Sequence, residues 1–179
     1  MKSIDEMLDA VAKNLHTAPP TNSVHIKKEV PNNADKPKIT PIPQYDSLTL
    51  SLAKETAYVV EKAAQTMGVN VVIAVRDKGA NLILLHAMDE SYIASVQIAQ
   101  DKAYTSASLK MPTHEALKES RGGSLDGLTN GNGIMLLGGG YPLEANGRIF
   151  GAIGVSGGTK EQDILLARLG SEYFRARIK

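Results

Sequence analysis

The chain contains four histidines and no cysteine, so any metal chemistry must draw on His, Asp, Glu, Met or Tyr. The same absence removes disulfides, thiolate nucleophiles, iron–sulfur ligation and Cys-containing zinc sites. One histidine has an informative context. His114 lies in the run DKAYTSASLKMPTHEAL, from Asp101 to Leu117. Pro112 lacks a backbone N–H and disfavours helical geometry at Met111, so a preceding helix must stop there. Thr113 is then predicted to cap a second, short helix, with Glu115 complementing its positive end. An imidazole in that first turn sits where the dipole disfavours added positive charge, which leaves it competent to ligate a metal. As an isolated histidine it is equally a surface residue that merely starts a helix. His86, beside Met88 at the end of a strand, is a candidate second ligand, although strand alternation also makes it a half-buried sheet residue. Tyr104 and Thr113 are candidates to ligate or hydrogen-bond a ligand. For Tyr104 and Lys102 the bland readings are helix packing and a solvated face.

Other chemistries find less support. No nucleophile triad, paired-carboxylate motif or HExxH appears. The glycines at Gly138 to Gly140 and Gly154 to Gly158 fit neither GxGxxG after a strand nor GxxxxGK followed by Ser or Thr. They read as tight turns and close backbone approach, which a ligand could still exploit. The formal net charge is +1, with none of the basic footprint that phosphate backbones demand, so no nucleic-acid partner is expected. No run of ~18 apolar residues is present to span a bilayer, and Asp5, Glu6 and Asp9 interrupt any signal-like amino terminus, so a cytoplasmic protein without a membrane partner is expected.

The elements that must position these residues are legible from period and punctuation. Leu52, Thr56, Val59, Val60, Ala63 and Met67 keep helical spacing up to a stop at Gly68. Val69 to Arg76 is a β-branched run, Asp77 to Asn81 a turn, and Leu82 to Ala87 the return strand. Ser91 to Lys110 has no Gly or Pro and carries enough apolar positions for a long, mostly internal helix. Arg121 to Gly133 reads as a long loop and Ile134 to Leu137 as a short strand. Asn146 and Gly147 mark a hairpin between Tyr141 to Ala145 and Arg148 to Val155. Thr159 is placed to cap a last helix ending near Phe174. Hairpins without crossovers predict an α+β domain, an antiparallel sheet with helices packed on it, over residues 47–179.

Two segments precede that domain. In residues 1–16, Ile4, Met7, Leu8, Val11 and Leu15 fall on one face of a predicted amphipathic helix, and Ser3 with Glu6 forms a capping-box pattern. Alone in water a helix of this length is marginal, so the apolar face needs a partner. Residues 17–46 hold Pro19, Pro20, Pro31, Pro37, Pro41 and Pro43, six of the eight prolines, which predicts a disordered linker that spans roughly 30 Å. His16 and His25 lie in this tether and are expected to be solvated. The helix either docks on a separate partner, packs back on its own domain or completes an oligomer interface.

Several motifs in order resemble the GlcG/HbpS family, which includes the carboxy-terminal domain of PduO. They are LTLSLA at Leu48 to Ala53, VVIAVRDKGANLI at Val71 to Ile83, MDESYIAS at Met88 to Ser95, KAYTSASLKMPTHEAL at Lys102 to Leu117, and GGGYPLEANGRIFGAIGVSGG at Gly138 to Gly158. The resemblance implies a GlcG-like fold, symmetric homo-oligomers and binding of haem b, with a redox, cofactor-handling or sensing role. A single axial ligand suffices for haem, which raises His114 as the iron ligand and makes His86, Tyr104, Thr113 and Lys102 or Arg76 candidates around it, the last two as propionate partners. The amino-terminal helix on its Pro-rich tether resembles encapsulation peptides, implying shell or cargo proteins as partners in the lumen of a bacterial microcompartment, in keeping with propanediol utilisation by PduO. An enzyme acting on a small metabolite or corrinoid, and an oligomeric assembly protein without a cofactor, stand as alternatives. The resemblance begins too late in the chain to include an adenosyltransferase domain.

Overall fold

The computed structural model describes residues 44–179. The expected helix of residues 1–16, with Ile4, Met7, Leu8, Val11 and Leu15, lies outside the described residues, as does the expected linker up to residue 43. At the other end of that linker, Tyr45 donates its N–H to the Arg177 carbonyl at 3.0 Å and accepts from the Lys179 N–H at 3.1 Å. Tyr45, two residues before the expected boundary at 47, is thus tied to the end of the last helix.

Eight elements follow in order: α1 (Leu50–Met67), β1 (Val72–Asp77), β2 (Leu82–Ala87), α2 (Ile93–Leu109), α3 (Thr113–Glu119), β3 (Gly140–Ala145), β4 (Arg148–Ser156) and α4 (Lys160–Arg177). The strands form one antiparallel sheet in the order β2-β1-β4-β3, the expected α+β architecture. Local chemistry sets the boundaries. Thr49 caps α1 by accepting from the Leu52 N–H, and Gly68 ends it in the left-handed conformation at φ 67°. Thr159 and Gln162 form a reciprocal capping box at the start of α4. At the tip between β3 and β4, Asn146 and Gly147 both take positive φ, 53° and 70°, as the expected hairpin requires.

Period-two alternation then sorts the sheet into two faces. Ile73, Val75, Leu143, Ile153 and Val155 join Leu52, Val60, Leu166 and Phe174 in a core between the sheet and the pair α1 and α4. Val72 and Ala74 point the other way, against Ala99 and Ala103 of α2. The inner strand β1 thus buries Val72 to Val75 on both sides, which explains its unbroken β-branched run. Helix α2 comes unusually close to the sheet. A methyl group on Gly154 would collide with the Ala99 carbonyl, and one on Gly140 with the Lys102 carbonyl and the Thr113 methyl. These glycines serve close backbone approach, and the structure puts both against α2.

Two expectations fail locally. Ile134 to Leu137 is not a strand: the Met135 N–H is taken by Thr105 Oγ1 at 2.7 Å and the Leu136 N–H by Asn130 Oδ1 at 2.7 Å, so side chains satisfy the backbone where a neighbouring strand was expected. Thr113 is not the cap of α3. Pro112 occupies that position, and Thr113, fully buried, is the first helical residue.

Candidate functional site

The corner between α2 and α3 is built from backbone that Thr113 holds in place. Its hydroxyl donates to the Leu137 carbonyl at 2.5 Å and accepts from the Gly140 N–H at 2.9 Å. That pair of bonds pins the start of α3 to the loop before β3 and to β3 itself. Lys110 ends α2 in the left-handed conformation at φ 57°, and Ser106 Oγ donates to the Met111 carbonyl at 2.9 Å, which turns the chain into Pro112. The Thr113 hydroxyl is thereby committed to the protein; its part at this corner is positional.

His114, one residue on, projects beside β3, its ring 5.8 Å from that of Tyr141. Neither ring nitrogen has a hydrogen-bond partner. Nδ1 is buried and is the one buried side-chain nitrogen or oxygen without a partner among the described residues. Nε2 lies 3.9 Å from Glu115 Oε1, beyond hydrogen-bond reach. Leaving a buried polar atom unpaired costs roughly 1–3 kcal/mol, so this nitrogen calls for a functional explanation. Glu115 and Tyr141, the two neighbours of His114, line a cleft of about 350 Å³ together with Met111, Pro112, Pro142 and Arg168. Lys110 and Arg175 stand at the same cleft. Arg168 is partly occupied, its Nε 2.9 Å from Glu172 Oε1. Burial pushes the Tyr141 phenol above its usual range, so it stays protonated. The cleft sets Met111, Pro112, Pro142 and Tyr141 beside three cations, Lys110, Arg168 and Arg175, and three acids, Glu115, Glu144 and Glu172, with the unpartnered imidazole of His114 alongside. Among the described residues no three His, Asp or Glu come together to hold a bare metal ion.

The other sequence candidates do not join this corner. His86 faces α1, where its Nδ1 lies 2.5 Å from Glu61 Oε1. Its strand is one edge of the sheet and β3 is the other, so three strand spacings, roughly 14 Å, separate the edges. Tyr104 packs its ring between the Arg76 guanidinium, 5.8 Å away, and Gly133. Arg76 itself donates to the carbonyls of Gln100 and Ala80, at 3.2 and 2.7 Å. Lys102, for which a solvated face was one reading, is 2% exposed. Its ammonium donates to Asp163 Oδ2 at 2.7 Å and to the Val155 carbonyl at 2.9 Å, so a propionate would have to displace Asp163. Burial lowers the Lys102 pKa and raises that of Asp163, each toward its uncharged form, and their mutual attraction opposes both shifts.

Sequence reasoning missed Asp163, Tyr141 and the cleft cations. Asp163 reads in sequence as a first-turn acid complementing a helix dipole, and nothing local ties it to a lysine 61 positions earlier. Tyr141 and Arg168 meet His114 and Glu115 only through the packing of α4 on β3.

Known proteins resemble this chain in sequence and fold. An uncharacterized 15.0 kDa protein in the dhaT-dhaS intergenic region of Citrobacter freundii is 43% identical over 134 residues, covering 73% of this chain and 94% of that protein. Corrinoid adenosyltransferase PduO of Citrobacter freundii is 33% identical over 107 residues, 58% of this chain, and the match covers 32% of PduO, so this chain spans about a third of that enzyme. The crystal structure of the PduOC:heme complex superposes with a TM-score of 0.67 at 28% identity, covering 71% of this chain and 94% of that one. The family model described as haem degrading protein HbpS-like matches residues 48–172. With the matched region spanning the whole sheet and the His114 corner, the chain belongs to the HbpS-like family.

Proposed function

We propose that this protein binds haem b at the α2–α3 corner, with His114 as the iron ligand, and acts as an oligomeric accessory protein in redox buffering, cofactor handling or sensing. The observation that carries this reading is the imidazole of His114, whose Nε2 has no hydrogen-bond partner, beside a cleft that holds Met111, Pro112 and Tyr141 together with Lys110 and Arg175. Bound haem would supply redox-active iron. The residues of this chain would do the rest. His114 would hold the iron, Thr113 would fix the turn that aims it, and Pro112, Met111 and Tyr141 would cover part of one macrocycle face. Lys110, and Arg175 through the guanidinium nitrogens left over from its 3.4 Å bond to the Glu144 carbonyl, would pair with propionates in place of the more closely held Lys102 and Arg76. With no cysteine in the chain, the thioether attachment of a c-type group is excluded, in keeping with a non-covalent, b-type group. The haem complex of PduOC, which this chain resembles, supports haem as the ligand.

The amphipathic helix of residues 1–16 and its Pro-rich tether complete the reading: Ile4, Met7, Leu8, Val11 and Leu15 would dock on shell or cargo proteins and carry the domain into a microcompartment. The relationship to PduO favours that destination over free cytoplasm. Titrating haemin into the full-length protein tests the ligand. A saturable Soret band at one haem per chain is expected; a featureless, non-saturating rise would remove the proposal. Cobalamin run alongside separates haem from a corrinoid, the alternative that PduO suggests.

A further inference from the structure

The two edges of the sheet are treated differently. On β3, Val155 donates to the Gly139 carbonyl, so by antiparallel alternation Pro142 turns its backbone outward. Proline offers no N–H there, and the outward Pro142 carbonyl is occupied by Ser171 Oγ at 2.6 Å. That edge is closed. On β2, Met88 donates to the Val71 carbonyl, so the same alternation turns the N–H and carbonyl groups of Leu85 and Ala87 away from β1. Among the described residues nothing pairs with them: β1 is the sole strand partner of β2. The strand reads LILLHA, without proline or charge, and its one irregularity is a bulge at Ile83 near its start. Natural sheets seldom leave such an edge bare, because it is a template for another strand.

The surroundings of this edge say which strand. Leu82, at its start, is 44% exposed, and just beyond its end Tyr92 and Ile93 are 71% and 91% exposed. At the start end lies exposed Lys78; at the finish lie exposed Asp89 and Glu90. The Asp77 carboxylate, also at the start, is turned onto the N–H groups of Gly79 and Asn81. Antiparallel pairing of β2 with its own copy brings each start against the other's finish. It therefore sets Leu82 beside Tyr92 and Ile93, and Lys78 beside Asp89 and Glu90, twice over about a two-fold axis. We infer that β2 is an assembly edge whose occupant is the β2 strand of a second copy of this chain, joining two sheets into one. This deepens the oligomer reading above, and it leaves the His114 corner, at the opposite edge, open.

The test uses full-length protein and its mass in solution by light scattering. Ala87→Pro removes an outward N–H on an exposed edge residue and no bond of the β1–β2 ladder, so the fold should persist by circular dichroism while the wild-type mass halves. Lys78→Glu should weaken the assembly at least tenfold, as should the pair Asp89→Lys with Glu90→Lys, and combining all three should restore it. Misfolding cannot produce that rescue. A wild-type oligomer whose mass neither Ala87→Pro nor the charge variants alter overturns the β2 interface and gives the edge to another occupant, such as residues 1–43. A monomeric wild type overturns the oligomer reading with it. Haem titration of Ala87→Pro should match wild type, so failure of the interface and failure of the haem site are read separately.

Discussion

Lys102 and Asp163 meet as an ion pair at 2.7 Å in a space almost without water, where burial disfavours the charge on each and their mutual attraction opposes that, so their value lies in being together. Removing one partner strands the other: Lys102→Met should cost about 3–5 kcal/mol in urea unfolding. Adding Asp163→Asn to that variant should recover most of the loss, because no charge is then left buried. Asp77 poses the opposite case at the surface. Hydrogen bonds from the Asn81 side chain, then from the Asn81 and Gly79 N–H groups, hold its pKa below the ordinary 3.8. The unfolded chain thus takes up this proton at higher pH than the folded one. The stabilisation is present above about pH 4 and is lost as pH falls through the depressed folded value. The stability gap between wild type and Asp77→Ala should accordingly be open at pH 6 and close below pH 3. Of these residues the sequence showed the turn role of Asp77 but not the burial of Lys102, since a long, charged side chain on a helix reads as solvated until a distant acid is found for it.

At the scale of elements, the corner that aims His114 depends on one hydroxyl. Thr113→Val keeps the shape but leaves the Gly140 N–H and the Leu137 carbonyl without their partner, and should cost about 1–3 kcal/mol while loosening α3. Thr159→Ala, which removes the cap of α4, should cost about 1 kcal/mol by the same unfolding measurement and leave the corner alone. Elements punctuated by local chemistry were legible in advance: the stop at Gly68, the Asn146-Gly147 hairpin, the Thr159 cap and the break at Pro112. Ile134 to Leu137 was not, because an apolar run of four looks like a strand whether its backbone bonds a neighbour or the side chains of Thr105 and Asn130. Thr113 was assigned to the right corner and the wrong job for a related reason. A threonine after proline suits a cap, and only the approach of β3 gives its hydroxyl two backbone partners instead.

For the whole molecule, alternation and hairpin order were enough to reach an antiparallel α+β domain, whereas the cleft was out of reach because it forms where α3, β3 and α4 meet. Of the two proposals, the amino-terminal one requires a segment that can be removed without loss of the domain. Deleting residues 1–16 should leave the unfolding midpoint and haem titration unchanged while abolishing co-sedimentation with shell proteins. The haem site at His114 is the central claim, and the most direct measurement is the Soret spectrum of haem-loaded His114→Ala with and without added imidazole. Loss or weakening of the wild-type band in the variant, with its return on imidazole addition, is the predicted result. A variant that binds haem with wild-type affinity and an unchanged spectrum would contradict it, placing the iron on another residue.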